Sequence, residues 1–159
     1  MRRKDREITN RQAILDIIES CQCCRIGFQD DGEVYIVPLN FGFEHTKERL
    51  VFYFHGAKEG RKTNLIAKSP CVGFELDTNH AIYAKGDRNL ACTYTARFQS
   101  VIGTGKISMV HDTEEKMHGL LLLMKHTTQK SEWSFDEKMV NAAAVFKLEV
   151  DKLSCKEHE

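Results

Sequence analysis

The sequence predicts a mainly β domain, a small antiparallel barrel with helices packed outside it, on three observations. Short runs rich in Val, Ile, Phe and Tyr recur at 24–28, 34–39, 50–55, 71–77, 94–109 and 143–150, with turn residues between most of them. Helical periodicity is confined to two or three segments interposed among those runs. There is no internal repeat or low-complexity linker, and 159 residues are enough for one domain with a real core. The chain is therefore read as a single domain over 1–159, with its core at about 8–150.

The elements follow in order. Thr9, Asn10, Arg11 and Gln12 read as a capping box, after which Ala13, Ile14, Ile17 and Ile18 recur at helical spacing and face the core. Asp30-Asp31-Gly32 marks a hairpin turn between the first two strands. Pro38 cannot donate to a ladder, so pairing near it is broken or one-sided. Residues 44–48 are a polar turn. In the strand at 50–55, alternation sets Leu50, Phe52 and Phe54 against Val51, Tyr53 and His55. A helix at 61–68 turns Leu65 and Ile66 inward and is stopped by Ser69-Pro70. Residues 78–91 are expected to be an exposed loop. Gly103 and Gly105 mark a bulge or a close backbone approach. Asp112 to Glu115 caps a helix carrying Met117, Leu120, Leu121 and Met124, with 120–123 read as core or dimer contact. Residues 126–141 have no clear pattern, and the tail from Ser154 is expected to fray as a solvated end. His118 and His126 are read as surface residues.

Composition narrows the function. Lys and Arg number 23 against 23 Asp and Glu, without the basic excess of a nucleic-acid binder. No apolar stretch approaches the ~18 residues of a membrane span, and the charged N-terminus lacks a signal-peptide segment. The expected location is the cytoplasm, where six cysteines stay free thiols. Cys21, Cys23 and Cys24 have no second matched pair for zinc, so they read as small hydrophobes at a strand start, and no metal is expected. Serine-nucleophile elbow, P-loop and dinucleotide-fold glycine motifs are all absent.

Two stretches carry chemistry. "YFHGAKEGRK", residues 53–62, leads from a strand through glycines into a helix whose first turn bears Arg61 and Lys62. Helix N-terminal N–H groups favour anions, Arg61 can grip a phosphate bidentately, and Lys62 adds a point charge. The bland alternative is a solvated turn with Glu59 as partner. Val37, Pro38, Leu39 and Asn40 form either an edge strand turning a corner or the polar rim of an apolar slot for a flat ring. His55 at a strand end reads as structural or as a site residue.

"MRRKDREI", "VPLNFGFE", "YFHGAKEGRK", "SPCVGFELD" and "QSVIGTGK" together resemble the flavin-binding split-barrel proteins related to pyridoxamine 5′-phosphate oxidase, nearest the 5-nitroimidazole-resistance (Nim-type) branch. The resemblance implies a homodimer of six-stranded split barrels binding FMN, or sometimes FAD, at the subunit interface. It implies that Arg61 and Lys62 hold the flavin phosphate and that Val37, Pro38, Leu39 and Asn40 line the ring. Phe54, His55 and Gly56 would lie beside them, with Gln99 and Ser100 near the cofactor. It makes His55 the candidate to touch substrate or donate a proton. The implied activity is reduction of a small acceptor, a nitroaromatic among them, with NAD(P)H as one donor. The alternative is a flavin- or haem-binding protein that does not turn over, with His55 as an axial haem ligand.

Overall fold

The chain forms eight strands and four α-helices in the computed structural model, which describes residues 3–159; Met1 and Arg2 of the "MRRKDREI" stretch lie outside the described residues. The strands are β1 (Glu7–Ile8), β2 (Cys24–Asp30), β3 (Glu33–Leu39), β4 (Gly42–His45), β5 (Leu50–Gly56), β6 (Cys71–Ala84), β7 (Tyr94–Val110) and β8 (Ala144–His158). The helices are α1 (Arg11–Ser20), α2 (Arg61–Lys68), α3 (Thr113–Thr128) and α4 (Glu137–Ala142). All pairings are antiparallel, in the order β3-β2-β6-β7-β8-β5-β4, with β1 added to β8.

The two outermost strands of that order, β3 and β4, are separated in sequence only by Asn40 and Phe41. The chain thus bridges the two edges of its own sheet, which must curl into a barrel split at this crossover. Side chains from opposite parts of the sheet meet inside accordingly. Ile26 and Phe28 of β2, Phe52 and Phe54 of β5, Phe74 of β6, Ile107 of β7 and Phe146 of β8 share one buried cluster with Ile17 and Ile18 of α1 and Leu65 and Ile66 of α2. Phe41 is fully buried in the same cluster and anchors the crossover.

The expected mainly β split barrel with outer helices is what forms, with eight strands in place of six. The two extra are the short β1 and β4, and β4 converts part of the expected turn at 44–48 into strand. Asn10, not Thr9, caps α1, accepting from the Ala13 N–H at 3.0 Å. Asp31 and Gly32 take positive φ (50° and 95°) in the two-residue hairpin turn that their sequence predicted. Pro38 sits on an edge strand, so its missing N–H costs no ladder bond on the open side.

Two stretches expected to be irregular are strand instead. β6 runs on to Ala84, pairing with β7 past a register shift between Thr78 and Ala81, so the loop expected at 78–91 begins only after it. β8 continues to His158 because β7 pairs with it beyond a register shift at Asp151, Phe98 facing His158, and the frayed tail does not form. On α3 the buried positions are Gly119, Leu123 and His126, one stripe of spacing four and three, whereas Met117, Leu121 and Met124 are half-buried. α3 lies on the outside of β4 and β5. A Cβ on Gly42 would overlap the backbone of Leu122 and Leu123, and one on Gly119 would reach 2.6 Å from the Tyr53 ring, so both glycines let the helix seat flush.

Candidate functional site

α2 is the first half of the candidate site. Its N-cap is Gly60, at φ 134°, which supplies no side-chain cap, and its first turn holds no acidic residue. Glu59, the partner in the alternative of a solvated turn, is not what Arg61 meets. Its Nε donates to Asp30 Oδ2 at 2.7 Å, Glu33 lies 3.6 Å from Nη2, and the guanidinium carbon stands 4.4 Å above the Tyr35 ring. Those contacts hold the fork in one orientation. Its two terminal nitrogens donate no hydrogen bond among the described residues.

Lys62 differs from its neighbour. Its ammonium sits 4.7 Å from the centroid of the buried Phe146 ring and against the backbone of Gly56, where an added Cβ would come within 2.7 Å of Nζ. Among the described residues it has no carboxylate partner. Burial lowers its pKa, the response of a cation losing water without gaining a counter-charge.

The second half is the split itself. β5 pairs with β8 through Gly56, but with β4 only as far as Tyr53. One edge of Phe54, His55 and Gly56 is therefore unpaired on the β4 side. β3 pairs only with β2, so Val37, Pro38 and Leu39 also have a free edge, and Asn40 follows them into the crossover. Val37 and Leu39 pack partly against the core while Pro38 and Asn40 are exposed. Phe54 is fully buried, so only its backbone is available to a ligand. His55 is exposed, on the same side of β5 as Val51 and Tyr53 but beyond the cover of α3. Glu33, beside Arg61, and Pro38 are five residues apart on β3, about 17 Å at the rise of a strand. An elongated molecule with an anionic tail and a flat head matches that arrangement.

Gln99 and Ser100 lie away from the phosphate half of the site, beside the β7 row that is level with Leu39 three strands across. Directly after α2, the Pro70 carbonyl accepts from the Ile107 N–H at 2.8 Å, which sets the α2 end of β7 near Ile107. Ser100 is seven residues away along that strand, roughly 23 Å. There Gln99 bonds with Asn79 and Glu157. The Ser100 hydroxyl is buried yet has no hydrogen-bond partner among the described residues. A buried orphan hydroxyl carries a desolvation cost that an outside group can relieve.

Sequence reasoning missed several contacts. Asp30 was read only as a turn residue and is the main partner of Arg61. His126, expected at the surface, is buried against Phe41, with ring centroids 4.3 Å apart. The 119–123–126 spacing was the signal for it. His118 is exposed as expected, but it is bound to Glu44 at 2.7 Å beside the Tyr53 hydroxyl, which donates to the same carboxylate at 3.1 Å. The six cysteines are free, and Cys21 and Cys24 are buried core residues as read. No helix among the described residues is long and apolar enough to cross a membrane.

The family described as pyridoxamine 5′-phosphate oxidase matches residues 10–157. No curated protein matches the sequence. Among solved structures, a proposed 5-nitroimidazole antibiotic resistance protein from Bacteroides thetaiotaomicron VPI-5482 is 30% identical at TM-score 0.80, the match covering 95% of this chain and 86% of that one. The flavocytochrome Anf3 from Azotobacter vinelandii is 17% identical at TM-score 0.77, covering 100% and 72% of the two chains. An FAD and heme binding protein from Mycobacterium smegmatis is 17% identical at TM-score 0.76, covering 97% and 74%. These last two are likenesses of fold.

Proposed function

Because the chain belongs to the pyridoxamine 5′-phosphate oxidase family, we propose that it is a cytoplasmic flavin-dependent oxidoreductase that holds FMN, or FAD by the same first phosphate, and reduces a small acceptor such as a nitroimidazole. The observation that carries this is Lys62: a half-buried cation without a counter-charge, beside an uncapped helix N-terminus. That combination disfavours the empty site and favours a bound phosphate. The residues present fit the cofactor. Gly56 leaves the room that Lys62 occupies, and the free edges of β3 and β5 offer backbone donors and acceptors to a ring edge.

When bound, the flavin supplies the electron chemistry, with NAD(P)H as one class of donor. The chain's part is to bind and orient. Lys62 and the α2 N–H groups neutralise the phosphate, and Arg61, held by Asp30, adds directed donors. Val37, Pro38, Leu39 and Asn40 would line the ring, with the backbone of Phe54 and Gly56 beside them. His55, exposed at the end of β5, is the residue that would face the acceptor and supply a proton.

A second copy of the chain completes the reading. Ser100 and Gln99 lie away from the phosphate end at α2, and we assign their implied role to a cofactor held against a second copy. The outer face of β3-β2-β6-β7 suits that contact. Val34, Ile36 and Ile102 are 74%, 61% and 50% exposed around a groove of about 540 Å³ floored by Gly27 and Gly73. Ser100 alternates onto this same face of β7.

The test is cofactor extraction with mass measurement, then FMN titration of variants. Arg61→Ala with Lys62→Ala should weaken flavin binding at least tenfold, since each charge-assisted contact contributes about 1.5–3 kcal/mol. Lys62→Ala alone should cost more than Arg61→Ala, whose charge Asp30 already offsets. Unchanged flavin occupancy in the double variant would overturn the assignment.

A further inference from the structure

The crossover that closes the barrel also ends the proposed ring slot, because Asn40 is both the last slot residue and the first residue of the bridge. β3 is held there by β2 on one side only. Something else must fix where Asn40 lies, and a side chain bonded to the next residue comes from the last turn of α3. His126 Nδ1 is 2.9 Å from the Phe41 carbonyl, and Nε2 is 3.2 Å from the Glu19 carbonyl in the last turn of α1. Its ring lies 4.3 Å from Phe41 and edge-on to Phe43 at 5.8 Å. One imidazole thus touches three elements that share no strand pairing at this point: α1, α3 and the crossover. Asn40 and His126 also line one cavity of about 330 Å³ with Gln22 and Gln129.

We infer that His126 is a positioning residue for the flavin ring slot, setting the place of Asn40 by holding the Phe41 carbonyl. This rests on the flavin reading of the site. A proton on Nδ1 serves the Phe41 carbonyl, the shorter contact, and a ring protonated on both nitrogens serves both carbonyls. Loss of the contact leaves the buried Phe41 carbonyl without its partner in the crossover, which no strand pairing holds. The ring-binding end of the slot then shifts while the phosphate end at α2, on a different element, stays as it was.

The experiment compares His126→Phe, which keeps a ring against Phe41 but removes both hydrogen-bonding atoms, with His126→Gln, which keeps a donor. His118→Ala on the same helix is the control. Amide NMR shifts are measured first in flavin-free protein. His126→Phe should move residues 39–42 more than residues 31–34 at the other end of the same hairpin. Equal or absent movement overturns the inference whether or not flavin binds. FMN titration should then show His126→Phe weakened about fivefold to tenfold with an altered visible spectrum of the bound flavin, partial recovery in His126→Gln, and no change in His118→Ala. Wild-type affinity and spectrum in His126→Phe overturn the inference as well. Absence of flavin binding in the wild-type chain overturns the proposed function instead, and the amide shifts alone then decide the positioning role.

Discussion

The barrel has two outer faces of similar apolar character and different fates. On β5 and β8, Val51, Tyr53 and Val145 are buried with Val110 because α3 lies over them, joined by Leu120 and Leu122. On β3, β2, β6 and β7 the equivalent face carries Val34, Ile36 and Ile102 in the open, flanking an apolar groove. Covering the first face takes a helix from the same chain, and the glycines at 42 and 119 are what let it approach. The second face has Gly27 and Gly73 as its floor and, among the described residues, no helix lining the groove. Exposed apolar area of this kind marks a contact with something else, a second copy in the proposed reading. Arg25, paired with Glu75 and Asp77 at the groove's edge, supplies both signs of charge for a self-complementary contact.

The same kind of substitution should therefore behave differently on the two faces. Val51→Asp places an unpaired charge under α3 and should cost about 4 kcal/mol or more, read as loss of the folded state in urea at any protein concentration. Gly42→Ala should cost about 3 kcal/mol, since a backbone overlap with Leu122 and Leu123 leaves α3 no rotamer to adjust. A wild-type urea midpoint for Gly42→Ala would show that α3 is not seated flush. Ile102→Asp on the open face should leave the fold of the single chain within about 0.5 kcal/mol. Self-association, followed by sedimentation, should weaken about a hundredfold, close to 3 kcal/mol. A wild-type chain that sediments as a monomer at all concentrations would remove the second copy from the argument.

Two smaller effects sharpen the picture. Burial pushes Cys21 up to about 12 and Cys155 up to about 11 from an ordinary 9.0, and raises Cys24 too. The fold favours the neutral thiol, so their contribution is full below pH 9.0 and is lost as pH rises through the folded values. Urea midpoints should accordingly fall above pH 9.0, and less so in a Cys21→Ala variant; a flat alkaline profile would mean these thiols are not sequestered. His118→Ala removes an exposed contact with Glu44 and should cost at most about 1 kcal/mol, visible as a small loss in thermal midpoint.

Legibility followed the range of the interactions. The hairpin turn at Asp31-Gly32, the span of α2 and the Asp112 cap were readable because each depends on residues a few positions apart. The helical part of 137–142 was missed because it is short and weakly periodic, and the strand at 152–158 because its polar surface hides a pairing that β7 alone supplies. At the candidate site, the order of motifs pointed to Arg61 and Lys62, but nothing local separated them. That one is held by Asp30, 31 residues away, while the other lies bare over Phe146, is decided by contacts from α2 to two distant strands.

What the sequence determined by itself was the set of local choices: turns, caps, alternation of apolar residues along each strand, and a helix start without acidic residues. These depend on backbone sterics and on neighbours within one or two turns. The tertiary structure decided which cation keeps its charge uncompensated, which apolar face α3 covers, and that His126 reaches the crossover from a helix 85 residues beyond it. Those outcomes follow from curling one sheet until its two edges meet, which brings together groups whose distance along the chain gives no sign that they touch.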